Sequence, residues 1–108
     1  MKLPSDPLGD QNIPFDNNEV TKFEPFADKW FDKDGPLKTL HDINPIRLRY
    51  IQQKMDLLNI SVADIGCGAG ILSESMYIHG ATVHAIDLNE KLIEAGKAHA
   101  LSNKLDIH

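Results

Sequence analysis

A chain of 108 residues, 42% hydrophobic and 25% charged, is long enough for one small globular domain and no more. Its formal net charge of −5, with Lys and Arg scattered along the chain, speaks against nucleic acid as a partner, because phosphate backbones call for a basic face. The single cysteine, Cys67, cannot close an internal disulfide, and the longest apolar run falls well short of the roughly 20 residues that span a bilayer, so a cytoplasmic protein is the expectation.

Residues 1–16 carry Pro4, Pro7, Gly9 and Pro14 among polar residues and read as a flexible extension without the pattern of a signal or transit peptide. A helical cap segment is expected over 17–58. Within it Val20, Phe23, Phe26, Ala27, Trp30 and Phe31 recur at helical spacing behind a capping Asn17 or Asn18. Pro25 interrupts this pattern, which predicts a kink or two short helices, and Asp32 to Pro36 ends it. Asn44-Pro45 reads as a helix start, with Leu48, Ile51, Met55 and Leu58 forming one stripe of a helix from Pro45 to Leu58.

From residue 59 onward strand and helix alternate. Ile60 to Ile65 reads as a short buried strand running into a glycine-rich turn, Gly66 to Gly70. A helix over Ile71 to His79 is stopped by Gly80, and Thr82 to Ile86 is a second strand. Asn89 caps a helix reaching Ser102, with Leu88 and Ile93 spaced for a hydrophobic staple, and Leu105 to His108 opens a third strand. This βαβα(β) order is that of an open parallel sheet, here the first half of a Rossmann-like domain over 59–108, and the chain is expected to be truncated.

The chemistry concentrates in Asp64 to Gly70. Glycines leaving a strand let the backbone turn tightly and approach a ligand without a Cβ in the way. Dinucleotide binders space them G-x-G-x-x-G, but the third-glycine position here is Ile71, and the run reads D-x-G-x-G-x-G through Asp64, Gly66, Gly68 and Gly70. That motif resembles the first motif of class I methyltransferases. Asp87, 21 residues after Gly66, stands where an acid accepts hydrogen bonds from ribose hydroxyls. The plainer alternative for Asp87 is a turn-opening residue before the Asn89 cap. Cys67 has no adjacent His or Lys in sequence to lower its pKa and reads as a small buried residue rather than a nucleophile. His41, His79, His84 and His99 lack metal-ligand spacing, so no metal is expected.

A wider set of residues is more specific: Phe23-Glu24, Ala27 and Trp30, then Leu40-His41-Asp42-Ile43-Asn44-Pro45-Ile46-Arg47-Leu48, then the glycine turn and Ala98-His99-Ala100. Over 18–103 the chain resembles the O-methyltransferases of ubiquinone biosynthesis. The resemblance implies a class I S-adenosyl-L-methionine-dependent methyltransferase fold, cut before its catalytic half. It implies transfer of a methyl group to a phenolic hydroxyl of a polyprenylated precursor, with peripheral membrane contact a consequence of so apolar a substrate. The family's cofactor contacts fall on Arg47, Gly66 and Asp87. Arg47 offers a guanidinium fork to the ligand's carboxylate, Gly66 allows close backbone approach, and Asp87 holds the ribose. No catalytic residue is assigned. Ala69 departs from the family's loop glycine and is compatible only if it avoids positive φ; Phe31 replaces the second tryptophan of an aromatic pair; Pro25 has no counterpart. Two other readings are a non-catalytic truncated binding or assembly module and a dinucleotide-binding domain. The isolated fragment is expected to bind the cofactor weakly or not at all, since half a sheet does not pre-form the crevice.

Overall fold

The computed structural model describes Met1, Asn18 and residues 21–108. The extension expected over 1–16, apart from Met1, and the Asn17 cap therefore lie outside the described residues. A 3₁₀ helix spans Glu24–Lys29, with Pro25 in its first turn. There the missing N–H costs nothing, which is why the proline starts a separate short helix. Asp32 to Gly35 then turn the chain: Asp34 N–H donates to Asp32 Oδ1 at 3.0 Å and Gly35 N–H to the Asp32 carbonyl at 3.0 Å.

The next helix departs from the sequence reading. It covers Lys38–Lys54 (α1), so Pro45 lies inside it and Asn44 caps nothing. The Lys38–Asp42 pair at 2.7 Å bridges one turn ahead of the proline, but that pair is exposed and contributes little. Packing explains more: Leu40 lies against the cluster of Trp30, Leu37, Ala69 and Leu92, and Asn44 Nδ2 donates to Ser75 Oγ at 2.8 Å on the neighbouring helix. Tertiary contacts outweigh the local start signal. The helix also ends early, at Lys54, which leaves Met55 and Leu58 exposed and buries Leu57 in their place.

Strand β1, Ser61–Ile65, pairs in parallel with β2, Thr82–Ile86, in the register Ser61 with Thr82 through Ile65 with Ile86. Between them runs α2, Ile71–Ile78, followed by His79 as C-cap and Gly80; after β2 comes α3, Glu90–Ser102. Asn89 caps α3 as expected, its side chain accepting from Leu92 N–H at 3.1 Å. Ile93 is buried with Ala85, whereas Leu88 is left 48% exposed, so the pair is split between core and surface.

One face of this small sheet is covered by helices. Val83 packs with Leu72 and Met76 of α2, and Ala85 with Ile93 of α3. On the opposite face Ser61, Ala63, Ile65 and Thr82 are exposed, which corrects the expectation of a buried first strand. The alternation shows why: a strand is buried throughout only when both faces of the sheet are covered. The third strand over Leu105 to His108 is reduced to one rung. His108 N–H donates to the Val83 carbonyl at 2.9 Å and Ala85 N–H to the His108 carbonyl at 2.8 Å, on the edge of β2 away from β1. Leu105 N–H donates to the Ala100 carbonyl at 2.8 Å, which closes α3 before the chain turns toward the sheet.

Candidate functional site

In a parallel sheet all strands finish on the same side, and the loops that leave them share one rim. Here that rim surrounds a cavity of about 550 Å³. Gly66 follows β1 and Asp87 follows β2, and the two are tied together directly. Gly66 and Cys67 both donate their N–H groups to the Ile86 carbonyl, at 2.8 and 3.0 Å, and Gly68 N–H donates to Asp87 Oδ2 at 2.9 Å. Asp87 Oδ1 accepts from Asn89 N–H at 2.8 Å. The turn-opening role of Asp87 is therefore real, and it coexists with a place on the cavity wall. Each carboxylate oxygen has a second lone pair, so both backbone bonds leave capacity for hydroxyl donors.

Arg47, Gly66 and Asp87, far apart in sequence, line the same cavity. Arg47 gets there from the exposed side of α1, three residues after Asn44, which also lines it. Asp64, at the end of β1 on the helix-covered face, accepts a hydrogen bond from Ser73 Oγ at 2.6 Å. Burial pushes its carboxyl above the usual carboxylate value; the Ser73 bond and the Arg47 charge pull the other way, and Asp87 adds to the rise.

Loop geometry resolves the question posed by Ala69. Gly66, Gly68 and Gly70 all have positive φ, but Ala69 is not among the positive-φ residues; it is fully buried beside Trp30, Leu37 and Leu92. The methyl group therefore serves as a packing point. Gly68 is the constrained position. With φ at +59°, a Cβ built there would lie 2.7 Å from Trp30 Cζ2. Cys67 is half-buried, and burial, with the Asp64 and Asp87 charges, pushes its thiol up to about 12. It is a poor nucleophile.

The part of the site that sequence reasoning left without a role is the apolar wall. Trp30 and Phe23, from the segment before α1, line the cavity and meet edge to face, 5.9 Å between centroids. Trp30 is only 4% exposed and its carbonyl accepts from the His41 ring at 2.8 Å. Glu24 reaches the N-cap of α3, accepting from Asn89 Nδ2 at 3.1 Å with Lys91 Nζ 3.6 Å away. The signal was present in the motif spacing of Phe23, Glu24 and Trp30, but spacing alone does not say what a residue touches.

Comparison with known proteins points to the same fold. A family model described as a methyltransferase domain matches residues 62–108. Over 102 residues the chain is 49% identical to a ubiquinone biosynthesis O-methyltransferase of Neisseria meningitidis serogroup A, covering 93% of this chain and 43% of that protein. It is 45% identical over 101 residues to the protein of the same name in Coxiella burnetii, with 94% and 42% covered. Against that of Xanthomonas oryzae it is 44% identical over 93 residues, with 86% and 39% covered. The chain thus spans about two fifths of the length of the curated relatives it matches. Over most of its length it is similar to the ubiquinone biosynthesis O-methyltransferases, and residues 62–108 carry part of a methyltransferase domain in a Rossmann-like α/β fold.

Proposed function

We propose that this chain is the S-adenosyl-L-methionine-binding part of an O-methyltransferase that methylates a phenolic hydroxyl of a polyprenylated ubiquinone precursor. The observation that carries the reading is the convergence of Arg47, Gly66 and Asp87 on one cavity at the strand ends. The donor set suits this ligand. A guanidinium pairs with an amino-acid carboxylate, carboxylate oxygens accept from ribose hydroxyls, and Trp30, Phe23, Leu88 and Leu92 offer apolar surface to an adenine ring. When bound, the sulfonium supplies an electrophilic methyl carbon. The residues of this chain hold the ligand, orient it through Arg47 and Asp87, and exclude water along the aromatic wall. No base or metal ligand is assigned to them.

The cap expected over 17–58 acts, in this reading, through its residues 21–58, which pack on the half-domain 59–108, and a polyprenylated substrate brings the full-length protein to a membrane surface. Among the described residues no helix is long and apolar enough to cross a membrane. Titration calorimetry of the full-length protein tests the proposal: S-adenosylhomocysteine binds and NAD does not. Arg47→Ala, on an exposed helix face, weakens binding by about tenfold or more, a loss of roughly 1.4 kcal/mol, without lowering the melting temperature. Binding of NAD alone, or an unchanged dissociation constant for Arg47→Ala and Asp87→Ala alike, would overturn it.

A further inference from the structure

Beside the crevice, three residues from three parts of the chain meet in an arrangement that the cofactor contacts do not use. Glu74 of α2, 8% exposed, accepts a hydrogen bond from His99 Nδ1 of α3 at 2.6 Å. Asn103 Nδ2 stands 3.4 Å from the other ring nitrogen of His99. The Phe31 ring lies flat on the same imidazole, 3.5 Å between centroids and 2° from parallel. Phe31 immediately follows Trp30, whose indole edge rests on Gly68 and whose ring lines the cavity.

Holding a carboxylate in so dry a place costs folding free energy, and an apolar pair of equal volume would stabilise the fold as well or better. What the pair does supply is a fixed orientation. With Glu74 holding Nδ1, the imidazole plane is set, and a flat ring contact then fixes Phe31 in both position and tilt. On the other side of Trp30 the chain is anchored again, by Glu24 on Asn89 and Lys91. The indole is thus suspended between two attachments, one to each end of α3.

We propose that Glu74, His99 and Phe31 form a latch that sets the position of Trp30 against the glycine loop, so that they are positioning residues for retention of the adenosyl ligand. The inference rests on the cofactor reading above. None of the three lines the cavity, so they act through Trp30 and leave the reacting atoms untouched. The latch therefore governs how long the ligand stays, and the methyl-transfer step at saturating ligand does not depend on it.

The test uses the full-length protein and the S-adenosylhomocysteine dissociation constant, with steady-state kinetics in S-adenosylmethionine alongside. Phe31→Ala and His99→Ala raise the dissociation constant and the KM about tenfold, with kcat within about twofold. Phe31→Trp, which keeps a flat ring, and Glu74→Gln, which keeps an acceptor for His99, stay near the parent values. Phe31→Leu replaces Phe31→Ala if the latter lowers the folded yield, since it keeps apolar volume and loses the stack. Parent and variants binding equally well, or kcat falling with KM unchanged, overturns the latch. No binding by the parent protein overturns the cofactor reading itself, and the latch with it.

Discussion

At the scale of single residues, two glycines of one loop do different work. Gly66 has φ of +73° and open space around its Cβ position, whereas Gly68, at +59°, has Trp30 within 2.7 Å of that position. Alanine at 66 therefore meets only the left-handed backbone cost, about 1 kcal/mol. Alanine at 68 adds a clash with a buried indole and costs roughly 2–4 kcal/mol in all. Urea denaturation of the two variants of the full-length protein checks the order, and equal midpoints would refute it. Cys67 gives a second residue-scale prediction. With its thiol pushed up to about 12, alkylation at pH 8 proceeds at least about tenfold more slowly than for an ordinary cysteine, the small thiolate fraction being partly offset by the greater nucleophilicity of a more basic thiolate. Timed iodoacetamide labelling followed by peptide mass measurement at Cys67 reads this directly. That Cys67 is not an activated thiol was an expectation of the sequence, where no adjacent His or Lys lowers its pKa, but its half-burial was not. The division of labour between Gly66 and Gly68 was not, since it depends on a tryptophan 38 residues away.

At the scale of elements, α1 is where local rules and the fold disagree. Asn44-Pro45 carries the signature of a helix start, yet the helix runs through it from Lys38. Pro45 removes one backbone donor inside that helix, and its ring crowds the carbonyl one turn back. Pro45→Ala is thus expected to stabilise the protein by about 2 kcal/mol, the helix gain less the added freedom of the unfolded chain. A thermal melt of the full-length protein measures it, and a lower melting temperature would show that the proline geometry is needed. The elements β1, α2, β2 and α3 were legible because their signals are local and mutually consistent. Asn89 caps the helix it was expected to cap, and α2 ends just before Gly80. The end of α1 was not, because Leu57 and Leu58 are equally apolar and only the packing against Met76 and Val83 selects Leu57 for burial.

At the scale of the molecule, the crevice is held at a cost to stability that depends on pH. Burial raises the Asp64 carboxyl above its usual value. A carboxyl whose folded pKa exceeds its unfolded pKa binds its proton more tightly when folded, so stability declines as pH rises above the unfolded value and through the folded one. Asp64→Asn cannot ionise and keeps an oxygen for Ser73 Oγ. Its melting temperature should therefore gain on that of the parent as pH rises from about 4 to about 7. A gain that is the same at both pH values would show that ionisation of Asp64 carries no folding cost. The same crevice joins β1, β2, α1 and the segment around Trp30, so the site belongs to the packed whole rather than to any one loop.

The order of β1, α2, β2 and α3, the glycine turn, the Asn89 cap and the choice of Arg47, Gly66 and Asp87 as proposed ligands could be read from the sequence alone, since each depends on residues close along the chain or on a motif that can be read in line. The tertiary structure decided where α1 begins, which face of β1 is exposed, and that Trp30 lies over Gly68 next to the stacked Phe31 and the His99–Glu74 pair. Those outcomes turn on contacts between distant segments, whose free energy exceeds local propensity and leaves no periodic trace in the chain.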